Sequence, residues 1–246
     1  MTNKYQYIPV FFIVFLIAVF YPVVSFAQMF SIDEPDGRTE RVLGVYTVLG
    51  ASWDFADFSY QGEAADIDER VDFNDNIFRL RLESPGINVS LGFGGSMTGM
   101  NDNSYVNVDG RLFNRVGLIR SESFLLTLPI QITTDLTRVR LNRTDAEFSQ
   151  SSLIFGSGLN ADLKLGERLG FNIHATPNYG FSFSQGNLFG GNLFRTDGKV
   201  LLFIHDVIGH RSLTLGYYFD YRRYRIDGDL NDYDYASHSI TLGITF

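Results

Sequence analysis

The sequence predicts an all-β fold: a closed antiparallel β-barrel of about ten strands that crosses a lipid bilayer. Three observations predict it. The chain opens on a secretory leader pattern, hydrophobicity after it repeats every second residue, and short and long connections alternate between the repeating segments. A length of 246 residues fits one domain or two small ones. The absence of cysteine excludes a disulfide scaffold, a thiolate metal site and a lipid-bearing cysteine. A formal charge of −8 argues against a general nucleic-acid binder, which needs a basic stripe for phosphates. Among the 20 basic residues only Lys4, Lys164 and Lys199 are lysines, a shortage unusual for a surface bathed in water.

Lys4 precedes an apolar run over 8–20, followed by Tyr21-Pro22 and the small-residue pattern Ser25-Phe26-Ala27. A charged head, a hydrophobic core and small side chains at −3 and −1 predict a signal peptide over 1–27, removed before Gln28. The competing reading is an uncleaved anchor, since 8–27 approaches the ~20 residues a spanning helix needs. Pro9, Pro22 and the well-formed cleavage pattern favour removal. No later apolar run is long enough for a helical span; Val200-Leu201-Leu202-Phe203-Ile204 is typical.

The strands are expected near 41–56, 76–83, 87–97, 105–118, 123–135, 149–164, 170–183, 199–207, 212–226 and 235–246. In the second, Phe78, Leu80 and Leu82 alternate with Arg79 and Arg81; in the third, Ile87, Val89, Leu91 and Phe93 form one face. The fourth is weaker, with Val106, Val108, Leu112, Val116 and Leu118 set against Arg111 and Arg115. Phe124, Leu126, Leu128, Ile130 and Ile132 define the fifth, and Leu159, Ala161, Leu163 and Leu165 carry the sixth. The seventh runs through Phe171, Ile173, Ala175, Pro177, Tyr179, Phe181 and Phe183. The eighth is apolar on both faces, so its facing is open. Leu213, Leu215, Tyr217, Phe219 and Tyr221 mark the ninth, and Ile240, Leu242, Ile244 and Phe246 the tenth. Pro129 and Pro177 each remove a ladder donor and predict a bulge or an interrupted pair. Merging or splitting two segments gives eight or twelve strands.

The polar faces hold Gly, Ser, Thr, Asn and a few Arg and Asp, the small mixture expected inside a narrow barrel. The apolar faces quoted carry no charge, where one would cost about 2–4 kcal/mol at a bilayer midplane. The apolar face is therefore assigned to lipid. Short turns fall at 83–86, 119–122, 165–169 and 208–211; longer polar stretches are expected at 59–75, 98–104, 136–147, 184–198 and 227–234. An even strand count puts both termini on one side, leaving 28–40 as a periplasmic segment and 41–246 as the barrel.

The ending Ile240-x-Leu242-x-Ile244-x-Phe246 resembles the C-terminal strand of bacterial outer-membrane β-barrel proteins, with its aromatic last residue. Together with leader and alternation, the chain is similar to small barrels of the outer-membrane protein A, opacity and omptin types, as architecture only. The resemblance implies Sec-type export, insertion in the outer membrane beside lipopolysaccharide, periplasmic chaperones, and recognition of that last strand by the barrel-assembly machinery.

Candidate chemistry is thin. An omptin-like protease site would need an Asp–His pair at the rim; His238 lies near Asp232 and Asp234 but shares the outward face of Ile240. Ser237-His238-Ser239 supplies residue types for a lipid hydrolase, yet strand neighbours point to opposite faces. His174 and Ser182 share the inward face but stand roughly 26 Å apart; His205 and His210 fall at the turn side. Asp227-Gly228-Asp229-Leu230-Asn231-Asp232-Tyr233-Asp234 and the acidic stretch from Glu63 to Asp75 read as solvated loops, or alternatively as a divalent bridge to anionic headgroups. Gly156-Ser157-Gly158-Leu159-Asn160-Ala161 matches a dinucleotide fingerprint by letter, but no helix follows it. No catalytic residue, metal or cofactor is assigned.

Parity places Arg79, Arg81, Asp109, Arg111, Arg115, Asp162, Lys164, Asp220 and Arg222 inside. Buried charges must pair, so the expectation is a salt-bridged plug and a structural or surface-interactive role through the outer loops. The alternatives are a narrow channel for small ions or solutes, an outer-membrane hydrolase, and a soluble secreted β-protein.

Overall fold

The computed structural model describes residues 43–61, 71–143, 147–184, 187–209, 211–225 and 232–246. Its strands are β1 (Val48–Tyr60), β2 (Phe73–Ser84), β3 (Ile87–Gly94), β4 (Asn103–Arg120) and β5 (Phe124–Leu141). β6 comes in two pieces, Glu147–Ser157 and Leu159–Leu165. β7 (Leu169–Ser184), β8 (Asn187–Ile208), β9 (Arg211–Arg225) and β10 (Tyr233–Thr245) follow. Every strand pairs antiparallel with its chain neighbours, and β10 returns to β1 with Trp53 opposite Ile240, closing a barrel of 10 strands. Closure leaves no open edge to template pairing with another chain.

One end of the barrel is made of tight turns. Gly86, Gly166 and Gly209 occupy positive φ there, at +85°, +72° and +61°, a conformation that a side chain disfavours. At the other end lie longer connections, including a 3-10 turn at Ser96–Thr98.

Through most of the wall, the faces are inverted relative to a soluble protein. Leu49, Trp53, Phe78, Leu80, Leu91, Val108, Ile132, Ile173, Leu215 and Leu242 are exposed on the outside. Ser52, Asn107, Thr127, Asn160, Asn172, Thr176, Ser237 and Thr241 are buried inside. A charge-free apolar belt around a polar interior requires hydrocarbon as its outer solvent. The barrel spans a membrane.

Towards the loop end the phase of the pattern reverses without any slip in the backbone. Inward positions become apolar: Phe58, Tyr60, Phe73, Tyr105, Val139, Phe148, Tyr233 and Tyr235 form a single buried cluster with Met100 from a connection. Outward positions on the same strands become polar, as at Asp57, Asn74, Arg138 and Arg140. Phe58 stacks on Phe73 at 5.4 Å and on Tyr233 at 5.0 Å. Here the strands stand above the bilayer with water outside, so the ordinary soluble arrangement returns.

This reversal corrects the expected strand ends. The first strand covers Val48–Tyr60 rather than 41–56, and β5 runs on to Leu141 through a stretch expected as loop. The expected long connection at 184–198 is also overturned. β8 begins at Asn187, and Arg195 and Asp197 are buried strand residues. The facing of β8 is settled too: Leu201 and Phe203 point inward against Val48, while Val200 is exposed.

The two prolines bracket a single weak point. Pairing between β5 and β6 lapses between Ile130↔Ser157 and Thr127↔Asn160, at Pro129. Pairing between β6 and β7 lapses between Gly156↔Asn178 and Leu159↔Ala175, at Pro177. Both gaps meet at Gly158, where an added Cβ would collide with the Ala175 carbonyl and Thr176. The Gly156-x-Gly158 motif is thus a wall irregularity, not a phosphate loop.

Candidate functional site

The interior below the aromatic cluster is a layer of ion pairs. The Arg79 guanidinium donates to Asp54 at 2.6 Å, to the Asn107 side-chain Oδ1 at 2.6 Å and to Ser90 at 3.3 Å. Asn107 passes the connection on by donating to Asp135 at 2.8 Å. Arg222 joins Asp135 at 2.8 Å to Asp220 at 2.7 Å. Arg195 then bridges Asp220 at 2.9 Å and Asp109 at 2.6 Å. Arg111 pairs with Asp197, and Asp197 also accepts from Asn178 at 3.0 Å. Nearer the turn end Lys199 pairs with Glu83, which accepts from the Tyr218 hydroxyl at 2.6 Å.

Several pairs cross the bore. Asp109 and Arg111 stand on β4, whereas their partners Arg195 and Asp197 stand on β8, four strands away around the ring. Asp135–Arg222 joins β5 to β9 and Glu83–Lys199 joins β2 to β8, each again four strands apart. Removing one member of such a pair leaves its partner as an uncompensated buried charge.

Of the charges that parity placed inside, Arg79, Asp109, Asp162 and Arg222 are buried, and Arg81, Arg111, Arg115 and Asp220 are partly buried and paired. Lys164 is a correction: at the end of β6 it stands exposed, because the strand has left the lumen there. Sequence reasoning missed Asp54, Glu83, Asp135, Arg195, Asp197 and Lys199. Arg195 and Asp197 were lost to the expected loop and Glu83 to a turn; unbroken parity would have found all three.

The histidines are dispersed. His238 faces outward, 2.6 Å from the Tyr217 hydroxyl, while Ser237 and Ser239 are buried inside. Asp234 is engaged by Arg225 at 3.2 Å. His174 meets Thr176 at 2.9 Å, and Ser182 pairs with the Tyr224 hydroxyl. One serine–histidine pair does meet: His205 Nδ1 is 2.7 Å from Ser212 Oγ, across the turn between β8 and β9. Ser212 is buried there, beside a register shift between Arg211 and Leu213. Both acidic loops fall largely outside the described residues (62–70 and 226–231), as does His210. Among the described residues no group of three His, Asp or Glu could hold a metal.

A cavity of about 70 Å³ lies within the lumen, on the turn side of the ion-pair layer. Its wall includes Arg81, Arg111, Arg115 and Lys199 with Glu83, Asp109, Asp197 and Asp220. Neither His205 nor Ser212 lines it.

No protein-family model matches the chain, and no curated protein does. Among solved structures it is similar to the outer-membrane protease OmpT from Escherichia coli, at 9% identity and a TM-score of 0.39, covering 85% of this chain and 99% of that one. It is similar to the translocator domain of the autotransporter NalP from Neisseria meningitidis, at 8% identity and 0.34, covering 82% and 88%. A third is the attachment invasion locus protein Ail from Yersinia pestis, at 12% identity and 0.23, covering 82% and 99%. These likenesses carry no activity over to this chain. Independently of them, an even-stranded closed antiparallel barrel with an apolar belt and a polar lumen is the architecture of the bacterial outer membrane.

Proposed function

We propose that this chain is a closed, non-conducting outer-membrane barrel with a structural or surface-interactive role exerted at its loop end. The observation that carries the reading is the set of ion pairs joining walls four strands apart, beneath an aromatic cluster that fills the loop-end mouth. Ten strands lie nearer the filled eight-stranded size than the open sixteen-stranded one.

The rim supports the surface role. Arg138, Arg140 and Arg223 face outward just beyond the apolar belt, at headgroup height, where they suit the phosphates of lipopolysaccharide. Met97, 97% exposed, crowns the 3-10 turn. Ile240 and Leu242 face outward, and Phe246 binds back to the Thr47 carbonyl at 3.0 Å, so the last strand is the edge that assembly machinery and periplasmic chaperones would meet before closure.

The protein is proposed not to be an enzyme. The Ser212–His205 contact is read as a cross-strand brace at the register shift, since Ser212 is buried away from the cavity. Planar-bilayer recording of the refolded barrel tests the main reading. Wild type is expected to give no stable porin-like steps, and the Arg195→Ala, Arg222→Ala double variant to give them. Stable steps from wild type would replace this reading with the channel. Acyl-ester or peptide hydrolysis abolished by Ser212→Ala would replace it with a hydrolase.

A further inference from the structure

We infer that the lumenal cavity is a binding site for a small soluble oxyanion, of phosphate or carboxylate type.

The first ground is the balance of committed and spare hydrogen-bonding capacity. Every carboxylate on the cavity wall is already engaged: Glu83 by Lys199 and Tyr218, Asp197 by Arg111 and Asn178, Asp109 by Arg195, and Asp220 by Arg195 and Arg222. The guanidinium groups are not used up. Each has five N–H donors in a fixed fork. Arg111 spends its Nη2 on Asp197, and its Nε is buried with no partner. Arg115 reaches Asp162 only at 3.8 Å and otherwise donates to the Gly44 carbonyl at 3.2 Å. Asp162 is itself taken by Asn160 at 2.9 Å and Asn172 at 2.8 Å. Arg81 donates to two hydroxyls, Ser52 at 3.3 Å and Ser239 at 3.2 Å, with Asp54 at 3.6 Å. Unspent donors around empty space favour an anion with several acceptor oxygens.

The second ground is room. Inward, β3 presents Asn88, Ser90, Gly92 and Gly94, all short and neutral. It runs between β2, which carries Arg81 opposite Ser90, and β4, which carries Arg111 opposite Asn88. Arginines on both neighbours therefore flank a wall with nothing bulky on it.

The third ground is access. The guanidinium side chains of Arg81, Arg111 and Arg115 keep 17%, 11% and 19% exposure, against 4% for Arg79 and 3% for Arg222 in the sealed layer above. The three arginines therefore keep a share of solvent contact that the sealed layer lacks. The site is independent of whether the bore conducts, since its floor is the ion-pair layer itself.

The test is calorimetric titration of the folded, detergent-solubilised full barrel with inorganic phosphate, at ionic strength held constant with sodium chloride. Acetate replaces phosphate in a parallel arm to separate the two oxyanion types. Saturable one-to-one binding of either is expected, weakened at least tenfold in Arg111→Gln and in Arg115→Gln and unchanged in the rim control Arg138→Gln. Folding of each variant is checked by heat-modifiable electrophoretic mobility. If Arg111→Gln does not fold, Arg115→Gln decides, because its partner contact is the loosest. No saturable binding by wild type, or equal affinity in the folded Arg115→Gln, overturns the proposal.

Discussion

The loop-end rim and the membrane belt are built on the same ten strands, yet they bury opposite faces. In the belt, β2 puts Leu80 outside and Arg79 inside; six residues earlier the same strand puts Asn74 outside and Phe73 inside. β5 does likewise, with Ile132 out and Thr133 in, then Arg138 out and Val139 in. Backbone parity is continuous throughout, so the change comes from the medium. Hydrocarbon cannot pair polar groups, which drives them inward; water can, and drives apolar groups inward instead.

The comparison can be broken at the two interiors first. Phe58→Ala in the rim should destabilise by about 3–5 kcal/mol by opening a cavity in the aromatic cluster. Asp54→Ala below it should cost a similar amount, about 3–5 kcal/mol, because Arg79 would keep only neutral partners. Urea unfolding of the barrel in lipid vesicles reads both, and a near-zero change for either would show that its interior is not packed as described. Phe58→Leu should recover most of the first loss, whereas Asp54→Leu should recover none of the second.

The outer faces come next. Leu80→Arg in the belt should cost about 2–4 kcal/mol, while Asn74→Arg on the same strand and face should cost about 1 kcal/mol or less. Equal costs in vesicle-based unfolding would erase the boundary between lipid and water drawn here. The smallest effect is expected at the rim surface. Arg138→Ala breaks an exposed 3.1 Å pair with Glu147 and should change stability by less than about 1 kcal/mol, less still in high salt.

That boundary also explains which parts of the fold were legible. Segments wholly within the belt, such as Ile240 to Phe246 and Phe171 to Tyr179, keep one hydrophobic phase and were placed with the right facing. At Phe58, Val139 and Leu193 the phase flips, and an alternating pattern read for a single apolar face ends there, although the strand does not. Arg195 and Asp197 were lost for that reason. Lys164 fails the other way: its parity is inward, but it lies where the strand has already left the lumen.

By itself, the sequence determined the all-β class, a count of about ten strands and the lipid-facing side of most of them, because a two-residue period and the exclusion of charge from hydrocarbon are local properties that each segment carries alone. Which charge meets which, that Asp109 finds Arg195 and Glu83 finds Lys199 across the bore, and that three arginines are left with donors to spare around a cavity, was decided only by closing the ring. Partners four strands apart have no fixed spacing in the chain, and nothing short of the barrel's circumference brings them together.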